Sequence, residues 1–340
     1  MKVGLLTGGG DCPGLNAVIC AVVKRCGEHG YAVLGIRNGW AGLLGNSDVE
    51  PLGDKSISGI LAKGGTILGT SRTNPFKHDG GVGELLANLE KHGIDAIIAI
   101  GGNDTLGVAQ RLHEMGIKII GVPKTIDNDL CGTDVTFGFD TAVSTATEAI
   151  DRLHSTAEAH NRVLVVEVMG RHAGWIATEA GLAGGAHCII IPEQPYNIED
   201  ICNVIKKRRE NGKTFSIVVV AEGAGNPTQI KHLPDIDQFG NVRLGGISYT
   251  ICEEIRKHTG FDTRVVVLGH IQRGGTPTAR DRVLATLFGI AAADFVKDGR
   301  FGKMTALCGN HIKEVDIKTA IEKTRLVDPE LYDAAKLFFG

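Results

Sequence analysis

The segment KVGLLTGGGDCPGLN, residues 2–16, decides the fold class of this 340-residue chain. It begins with a largely apolar run, Lys2–Thr7, passes through three glycines, and enters a helical pattern, Leu15–Glu28, with apolar residues along one side. Glycines between a strand and a helix let the backbone approach a ligand, and N–H groups at the helix start can face an anion. The loop is neither G-x-G-x-x-G nor Walker A, so a tight turn without a ligand explains it equally well.

The same alternation of strand and helix patterns continues through the chain. Strands are predicted at residues 32–36, 95–100, 118–122, 162–169, 188–191, 214–221 and 263–268, and helices at 85–91, 106–115, 141–160, 173–182, 198–210, 247–258 and 279–297. Residues 223–240 are predicted to form a surface loop. Such alternation indicates right-handed βαβ units, and 340 residues suffice for two domains. We therefore expect an α/β fold of two Rossmann-like lobes with mainly parallel sheets, binding ligands at the strands' carboxyl ends.

Composition excludes several classes of protein. The chain is 43% hydrophobic with a net charge of -3. These values argue against a disordered chain and against a broad charged surface that binds nucleic acid or membranes. Its eight cysteines are scattered without a C-x-x-C pair, which is typical of buried free thiols in a reducing compartment. Because the sequence shows neither a signal-peptide core nor an apolar run of membrane-spanning length, we expect a cytoplasmic protein.

Polar residue sets follow several predicted strands. The most informative is VPKTIDND, in which Asp127 and Asp129 lie beside Lys124. A carboxylate near a cation stays ionised and can accept a proton from a substrate hydroxyl, although an Asx-rich surface turn would also have this sequence. Asp104 follows the next glycine turn upstream, Gly101–Gly102, where it is also a candidate helix cap.

These motifs together supply Arg72, Lys124, Arg171 and Arg273 as cations, with two or three carboxylates. Phosphoryl transfer needs cations for the phosphates, a base for the hydroxyl, and carboxylate or amide oxygens for Mg²⁺. The residues alone therefore predict a phosphate-handling α/β enzyme. A basic run, Lys206–Arg209, is interpreted as a solvated helix face.

Taken in order, the motifs resemble the phosphofructokinase family. The matching stretches are Thr7–Asn16, Gly64–Arg72, Gly101–Thr105, Pro123–Asp129, Phe137–Thr141, Glu167–Gly174, Ala221–Gly223 and Leu268–Pro277. The resemblance implies Mg²⁺-dependent phosphoryl transfer to the 1-hydroxyl of fructose 6-phosphate in the phosphofructokinase fold. It also implies a phosphoryl-donor lobe of residues 1–138 plus 272–322 and a sugar-phosphate lobe of residues 139–271 plus 323–340.

The resemblance also implies roles for individual residues. Asp127 matches the general base, Arg171 the cation that also faces the transferring phosphoryl, and Gly10 and Arg72 the donor-phosphate site. The residues matching the sugar-phosphate site are Thr125, Asp127, Asp129, Arg162, Met169, Gly170, Arg171, Glu222, Arg264, His270 and Arg273. In the family Arg162 and Arg264 come from a neighbouring subunit, which implies a homo-oligomer, a dimer or a tetramer, with shared active sites.

The family divides between ATP and inorganic pyrophosphate as donor, and Asp104 bears on the choice. ATP enzymes typically have glycine at this position, whereas pyrophosphate enzymes have aspartate there and lysine where this chain has Lys124. A carboxylate beside the α-phosphate of ATP would cost several kcal/mol at intermediate dielectric. Asn103 departs from the pattern, because that position is usually acidic and helps to hold Mg²⁺; an amide oxygen still ligates the ion but without charge.

We therefore expect a reversible pyrophosphate–fructose 6-phosphate phosphotransferase. Three alternatives remain: an ATP-dependent 6-phosphofructokinase, a catalytically silent subunit that binds sugar phosphates, and a relative acting on another acceptor such as sedoheptulose 7-phosphate. Control by nucleotides or phosphoenolpyruvate is not expected, because Cys20, Lys24 and His154 stand where allosteric relatives have arginines that bind these effectors.

Overall fold

A computed structural model describes residues 1–225 and 245–340, which form two β-sheets flanked by helices. The strands of the described residues are β1 (Lys2–Thr7), β2 (Ala32–Ile36), β3 (Val49–Leu52), β4 (Ala96–Gly101), β5 (Ile119–Pro123), β6 (Val163–Val168), β7 (Cys188–Ile190), β8 (Ser216–Ala221), β9 (Thr263–Val267), β10 (Lys303–Cys308) and β11 (His311–Asp316). The fold is α/β with mainly parallel sheets, as the strand–helix alternation predicts.

The first sheet has seven strands in the order β11-β10-β5-β4-β1-β2-β3. Its inner strands run parallel, with Val3 opposite Ala96 and Ile98 opposite Ile120, while β3 and β11 pair antiparallel at the two edges. All six residues of β4 are buried, because helices cover both faces of the sheet. The carboxyl ends of β1, β4 and β5 therefore meet at one edge of the sheet.

The second sheet is four-stranded and wholly parallel, in the order β7-β8-β6-β9. The central strands β6 and β8 are entirely buried and consist largely of Val, Leu and Ile, the composition of strands covered on both faces. Strand β9 forms one edge, and Arg264 and Val267 on it are exposed.

The described helices are α1 (Leu15–Glu28), α2 (Asp54–Ile57), α3 (Gly81–His92), α4 (Asn103–Glu114), α5 (Phe139–Ala159), α6 (Trp175–Ala183), α7 (Ile198–Glu210), α8 (Ile247–Thr259), α9 (Ala279–Lys297), α10 (Ile317–Glu322) and α11 (Pro329–Lys336). Helix α9 packs closely on α1, and its Asp281 bonds the start of α5. The fully buried Asp281 carboxylate accepts hydrogen bonds from Gly138 N (2.9 Å), Thr141 N (2.8 Å) and Thr141 Oγ1 (2.5 Å) at the start of α5. The predicted lobe boundaries stay a prediction.

Several details differ from the sequence predictions. Helix α4 starts at Asn103, three residues earlier than predicted. Strands β3 and β11 were not predicted because they are short or strongly polar edge strands, and β10, which lies between β11 and β5, was also missed. Arg208 is buried, where it donates to Ser216 Oγ and Phe215 O, so the solvated-face interpretation of Lys206–Arg209 is wrong at this position. The predicted loop 223–240 lies outside the described residues beyond 225.

Two further predictions concern cysteines and membranes. All eight cysteines are free thiols; six are buried, as predicted, while Cys131 and Cys308 are partly exposed. Among the helices that the structure describes, none combines the length and apolar character needed to cross a bilayer.

Candidate active site

The sequence-predicted polar residues follow the carboxyl ends of strands in both sheets. The glycine loop follows β1, Asn103 and Asp104 follow β4, and the segment Lys124–Asp129 follows β5. From the second sheet, the segment Met169–Arg171 follows β6 and Glu222 follows β8. Parallel α/β sheets bind ligands at this edge, since the helices that follow begin there.

The glycine loop is held by two cations from other parts of the chain. Lys124, which is buried, donates from Nζ to Gly10 O at 2.5 Å, and Arg273 Nη1 donates to Asp11 O at 3.2 Å. A Cβ at Gly10 would lie 2.5 Å from Arg273 Nη1, so a side chain here would displace the guanidinium. Burial lowers the pKa of Lys124. The loop is thus built around cations, which an unliganded tight turn does not require.

A second loop, Gly64–Arg72, is clamped against the glycine loop. Thr70 Oγ1 donates to Gly9 O at 2.6 Å, and Gly9 N donates to Ser71 O at 3.0 Å. The buried Asn16 side chain bonds the same loop, accepting from Ile67 N at 2.9 Å. Arg72 follows directly after these contacts and is exposed.

Asn103 and Asp104 occupy the first turn of α4. Gly102 holds the N-cap position, so the interpretation of Asp104 as the helix cap is wrong. A carboxylate in a first turn is still stabilised by the helix dipole. Asn103 Nδ2 donates to Asp129 Oδ2 at 3.1 Å, which joins this turn to the acidic segment after β5.

Asp127 carries an unpaired carboxylate oxygen inside the protein. Its Oδ1 is buried and has no hydrogen-bond partner among the described residues, while its backbone N donates to Thr125 Oγ1 at 3.0 Å. Its neighbours Asn128 and Asp129 are only 1% and 7% exposed, so the surface-turn interpretation is wrong. A buried unpaired oxygen is costly and is a candidate for direct contact with a substrate or ion.

Negative charge is concentrated around Asp127. Burial, followed by repulsion from Asp127, raises the pKa of Asp129 to about 7, and the same two causes raise the pKa of Glu222 to about 7. Arg171 and Lys124 supply the nearby positive charge that opposes these shifts. Carboxyls with such perturbed pKa values, from both sheets, are typical of a functional site.

The residues after β6, β8 and β9 lie against one another. Gly223 N donates to Gly170 O at 3.0 Å, and a Cβ at Gly223 would overlap the Arg171 carbonyl. Met169 N donates to the buried Gln272 Oε1 at 3.2 Å, directly before Arg273. These contacts bring together the predicted sugar-phosphate residues Met169, Gly170, Arg171, Glu222 and Arg273.

Arg162 and Arg264 lie at the β9 edge of the second sheet. Both bond Asp262, Arg162 Nε to Oδ2 at 2.6 Å and Arg264 Nη1 to Oδ1 at 2.5 Å. Within the described ranges, neither forms a hydrogen bond or ion pair with the Asp127 segment, so one subunit does not bring them there. His270 is exposed in a single 3₁₀ turn, Gly269–Arg273.

Sequence reasoning missed residues that hold these segments in place. Glu167, part of a quoted motif, is buried and accepts from Gly246 N, Ser248 N and Ser248 Oγ, so it anchors the start of α8. Gln272 likewise holds the segment after β6 by accepting from Met169 N, and Asp281 holds the start of α5. Arg325 donates to Asn128 O in the Asp127 segment. A polar residue inside an apolar pattern was the only available signal, and it does not specify a partner.

Comparisons with known proteins identify relatives of the chain. A profile of the family described as phosphofructokinase matches residues 2–296. A pyrophosphate–fructose 6-phosphate 1-phosphotransferase of Amycolatopsis methanolica is 56% identical over 344 residues, and an ATP-dependent 6-phosphofructokinase of Mycobacterium tuberculosis H37Rv is 52% identical over 343; both alignments cover 100% of each chain. The crystal structure of Pichia pastoris phosphofructokinase in the T-state superposes with a TM-score of 0.84 and 32% identity, covering 94% of this chain and 35% of that one. The two bacterial names differ in the phosphoryl donor.

Proposed function

The chain belongs to the phosphofructokinase family, and from that premise we propose that it reversibly transfers a phosphoryl group from inorganic pyrophosphate to the 1-hydroxyl of fructose 6-phosphate. The products are fructose 1,6-bisphosphate and orthophosphate. The observation that carries the chemistry is the buried, unpartnered Oδ1 of Asp127, which supplies an acceptor for the hydroxyl proton.

The cations around Asp127 account for the phosphoryl transfer. Lys124 is fixed at the glycine loop through Gly10 O, where it faces charge developing on the leaving phosphate. Arg171 follows β6 and lies close enough to Glu222 to lower its pKa against the effect of burial. Thr125 orients the base by accepting the backbone N–H of Asp127. Catalysis of this reaction consists mainly of such positioning and charge stabilisation.

The sugar-phosphate site is assigned to the second sheet. We propose that Met169, Gly170, Glu222, His270 and Arg273 contact the sugar and its 6-phosphate. Arg162 and Arg264 do not reach this group within one subunit, but they lie together at an edge strand. We therefore propose a homo-oligomer in which the two arginines complete the site of a neighbouring copy.

Pyrophosphate is the proposed donor because of Asp104. The half-buried carboxylate stands in the first turn of α4, beside the loop that would receive the donor phosphates. It would lie against the α-phosphate of a nucleotide, whereas pyrophosphate ends before that point. The Amycolatopsis methanolica relative named for pyrophosphate supports this assignment.

Mg²⁺ fits the residues around Asp127. Mg²⁺ is usually held by one or two carboxylates and by phosphate oxygens of the substrate, and it keeps several waters. The Asp129 carboxylate and the oxygen of the adjacent Asn103 amide provide oxygen ligands of this kind, which leaves Asp127 Oδ1 free to accept the hydroxyl proton. When bound, the ion neutralises charge on the transferred phosphoryl group. Among the described residues no three His, Cys, Asp or Glu side chains are grouped to hold a metal alone, so the phosphates must supply ligands.

An ATP-dependent activity is the second candidate. The observation in its favour is the relative named as an ATP-dependent 6-phosphofructokinase, which is 52% identical over the full chain.

For regulation, the structure supports the expectation of little effector control. Cys20 is buried and its thiol donates a hydrogen bond to Ile57 O. His154 Nε2 lies 2.7 Å from Gly184 O.

The reverse reaction tests the proposal directly. The enzyme is incubated with fructose 1,6-bisphosphate and Mg²⁺, and with either orthophosphate or ADP, while fructose 6-phosphate formation is followed. We expect turnover that requires orthophosphate and yields pyrophosphate, and none in Asp127→Asn. Turnover with ADP but not with orthophosphate would leave the sugar chemistry intact and reject pyrophosphate as the donor.

A further inference from the structure

The segment before α11 pairs with the acidic segment of the active site. Arg325 N donates to Asp129 O at 2.9 Å, and Thr324 forms an antiparallel bridge with Leu130. Cys131 N continues the contact by donating to Ala320 O at 3.1 Å. This segment lies beyond residue 296, where the match to the family profile ends.

The Arg325 side chain makes two further contacts, one with the segment after β5 and one with the start of α6. Its Nη1 donates to Asn128 O at 3.2 Å, so one residue binds the carbonyls of both Asn128 and Asp129. Its guanidinium lies 4.2 Å from the centre of the Trp175 ring, and Trp175 Nε1 donates back to Arg325 O at 3.1 Å. Trp175 is buried and begins α6, directly after the segment Met169–Gly174.

The backbone at Asn128, whose carbonyl Arg325 bonds, has a conformation that is rare for a non-glycine residue. Asn128 has a φ of +53°, in the left-handed region that non-glycine residues seldom adopt, and it lies between the two site carboxylates. Such a conformation persists only where surrounding contacts hold it. Thr136 holds the Asn128 side chain from one side, donating from its backbone N to Oδ1 at 3.1 Å, and Arg325 holds the main-chain carbonyl.

A second bridge strengthens the link to α6. Glu193 accepts from Val327 N at 3.0 Å and from Gly174 N at 3.0 Å. The segment that carries Arg325 is therefore attached at both ends, to the acidic segment on one side and to the start of α6 on the other.

We infer that Arg325 is a positioning residue that fixes the Asp127–Asp129 turn relative to the sugar-phosphate segment Met169–Arg171. This inference rests on the proposed phosphoryl transfer at Asp127. Arg325 itself touches no reacting atom. Its guanidinium holds the carbonyl of Asn128, directly after the base, and its backbone N holds the next carbonyl, that of Asp129. Because misplacing a catalytic group by about 1 Å can cost about 100-fold in rate, loss of Arg325 lowers kcat more than it changes the KM for fructose 6-phosphate.

The test compares Arg325→Met and Arg325→Lys with a matched control, Arg300→Met. Arg300 also stacks on an aromatic ring, Phe295, at 4.2 Å, but its charged partners are the surface residues Asp298 and Glu314. Each protein is assayed for kcat and KM with whichever donor the wild type uses, and its unfolding temperature is measured. If the wild type uses ATP instead of pyrophosphate, the donor assignment fails and the comparison at Arg325 still holds.

We expect Arg325→Met to lower kcat by about 10- to 100-fold, Arg325→Lys to be intermediate because lysine lacks the planar fork, and Arg300→Met to stay within about twofold of wild type. Methylguanidine added to Arg325→Ala should restore part of the lost kcat, which a purely structural role would not produce. The inference is overturned if kcat per folded molecule in Arg325→Lys and Arg325→Met matches that of Arg300→Met, whatever happens to the unfolding temperature.

Discussion

Replacing Asp127 with asparagine is expected to abolish most activity without weakening the fold. Asp127 Oδ1 is buried and unpartnered among the described residues. Burial, and after it repulsion from the charge of Asp127, raises the pKa values of both Asp129 and Glu222. An unsatisfied buried polar atom costs about 1–3 kcal/mol, more when it is charged. A neutral amide relieves the repulsion, so the free energy of unfolding should stay unchanged or rise by about 1 kcal/mol.

The expected loss of activity follows from the role of the base. General-base catalysis contributes about 10²–10⁴-fold to a rate, so kcat should fall by that factor in Asp127→Asn. The KM for fructose 6-phosphate should change little, because the amide keeps the size of the carboxylate and its oxygen can still accept one hydrogen bond.

Asp281→Asn is the matched control, because it is the same chemical change at a carboxylate that is fully hydrogen bonded. Asp281 accepts three hydrogen bonds from Gly138 and Thr141. An asparagine there turns an NH₂ group toward at least one of these donors, which should lower the free energy of unfolding by about 1–3 kcal/mol.

Both variants are measured by urea denaturation at pH 7.5 and by steady-state kinetics. We expect opposite patterns: a stable, inactive Asp127→Asn and a destabilised Asp281→Asn whose folded molecules remain active. An Asp127→Asn protein that keeps more than about a tenth of wild-type kcat would refute the general-base assignment.

Four further outcomes are expected. Asp104→Gly should raise kcat/KM for ATP and lower it for pyrophosphate; equal loss with both donors would mean that Asp104 does not select the donor. Inactive Arg162→Ala and Asp127→Asn proteins, dissociated and reassembled together, should regain activity if sites are shared between subunits, and separate reassembly should not restore it. The pKa of Glu222 is raised from 4.5 to about 7, so its contribution to the free energy of unfolding should fall as pH rises between these values, and Glu222→Gln should flatten this decline in a denaturation series. Phosphoenolpyruvate and ADP should leave the fructose 6-phosphate saturation curve unchanged; a marked shift would contradict the interpretation of Cys20 and His154.

The sequence predicted the parallel part of the fold because periodicity and glycine turns are local signals. Strands β1, β4 and β5 and the helices between them were therefore predictable. Strand β11 was not, because its residues HIKEVD are mostly polar and it pairs only at the sheet edge.

The site residues were predictable where a motif follows a strand, but their supports were not. The sequence VPKTIDND singled out Asp127, whereas nothing local connects it with Arg325, 198 positions further along the chain. The hydrogen bond from Arg325 Nη1 to Asn128 O exists only because two distant segments pair. Long-range polar contacts of this kind depend on tertiary geometry, which residue spacing does not encode.

The most direct test of the central claim is a side-by-side measurement of kcat/KM for pyrophosphate and for ATP, with fructose 6-phosphate and Mg²⁺ saturating. With Asp104 in the first turn of α4, we predict turnover with pyrophosphate and a kcat/KM at least about 100-fold lower with ATP, which corresponds to about 3 kcal/mol. Turnover with ATP alone would contradict the account of the donor site, while leaving the fold and the role of Asp127 to be tested on their own.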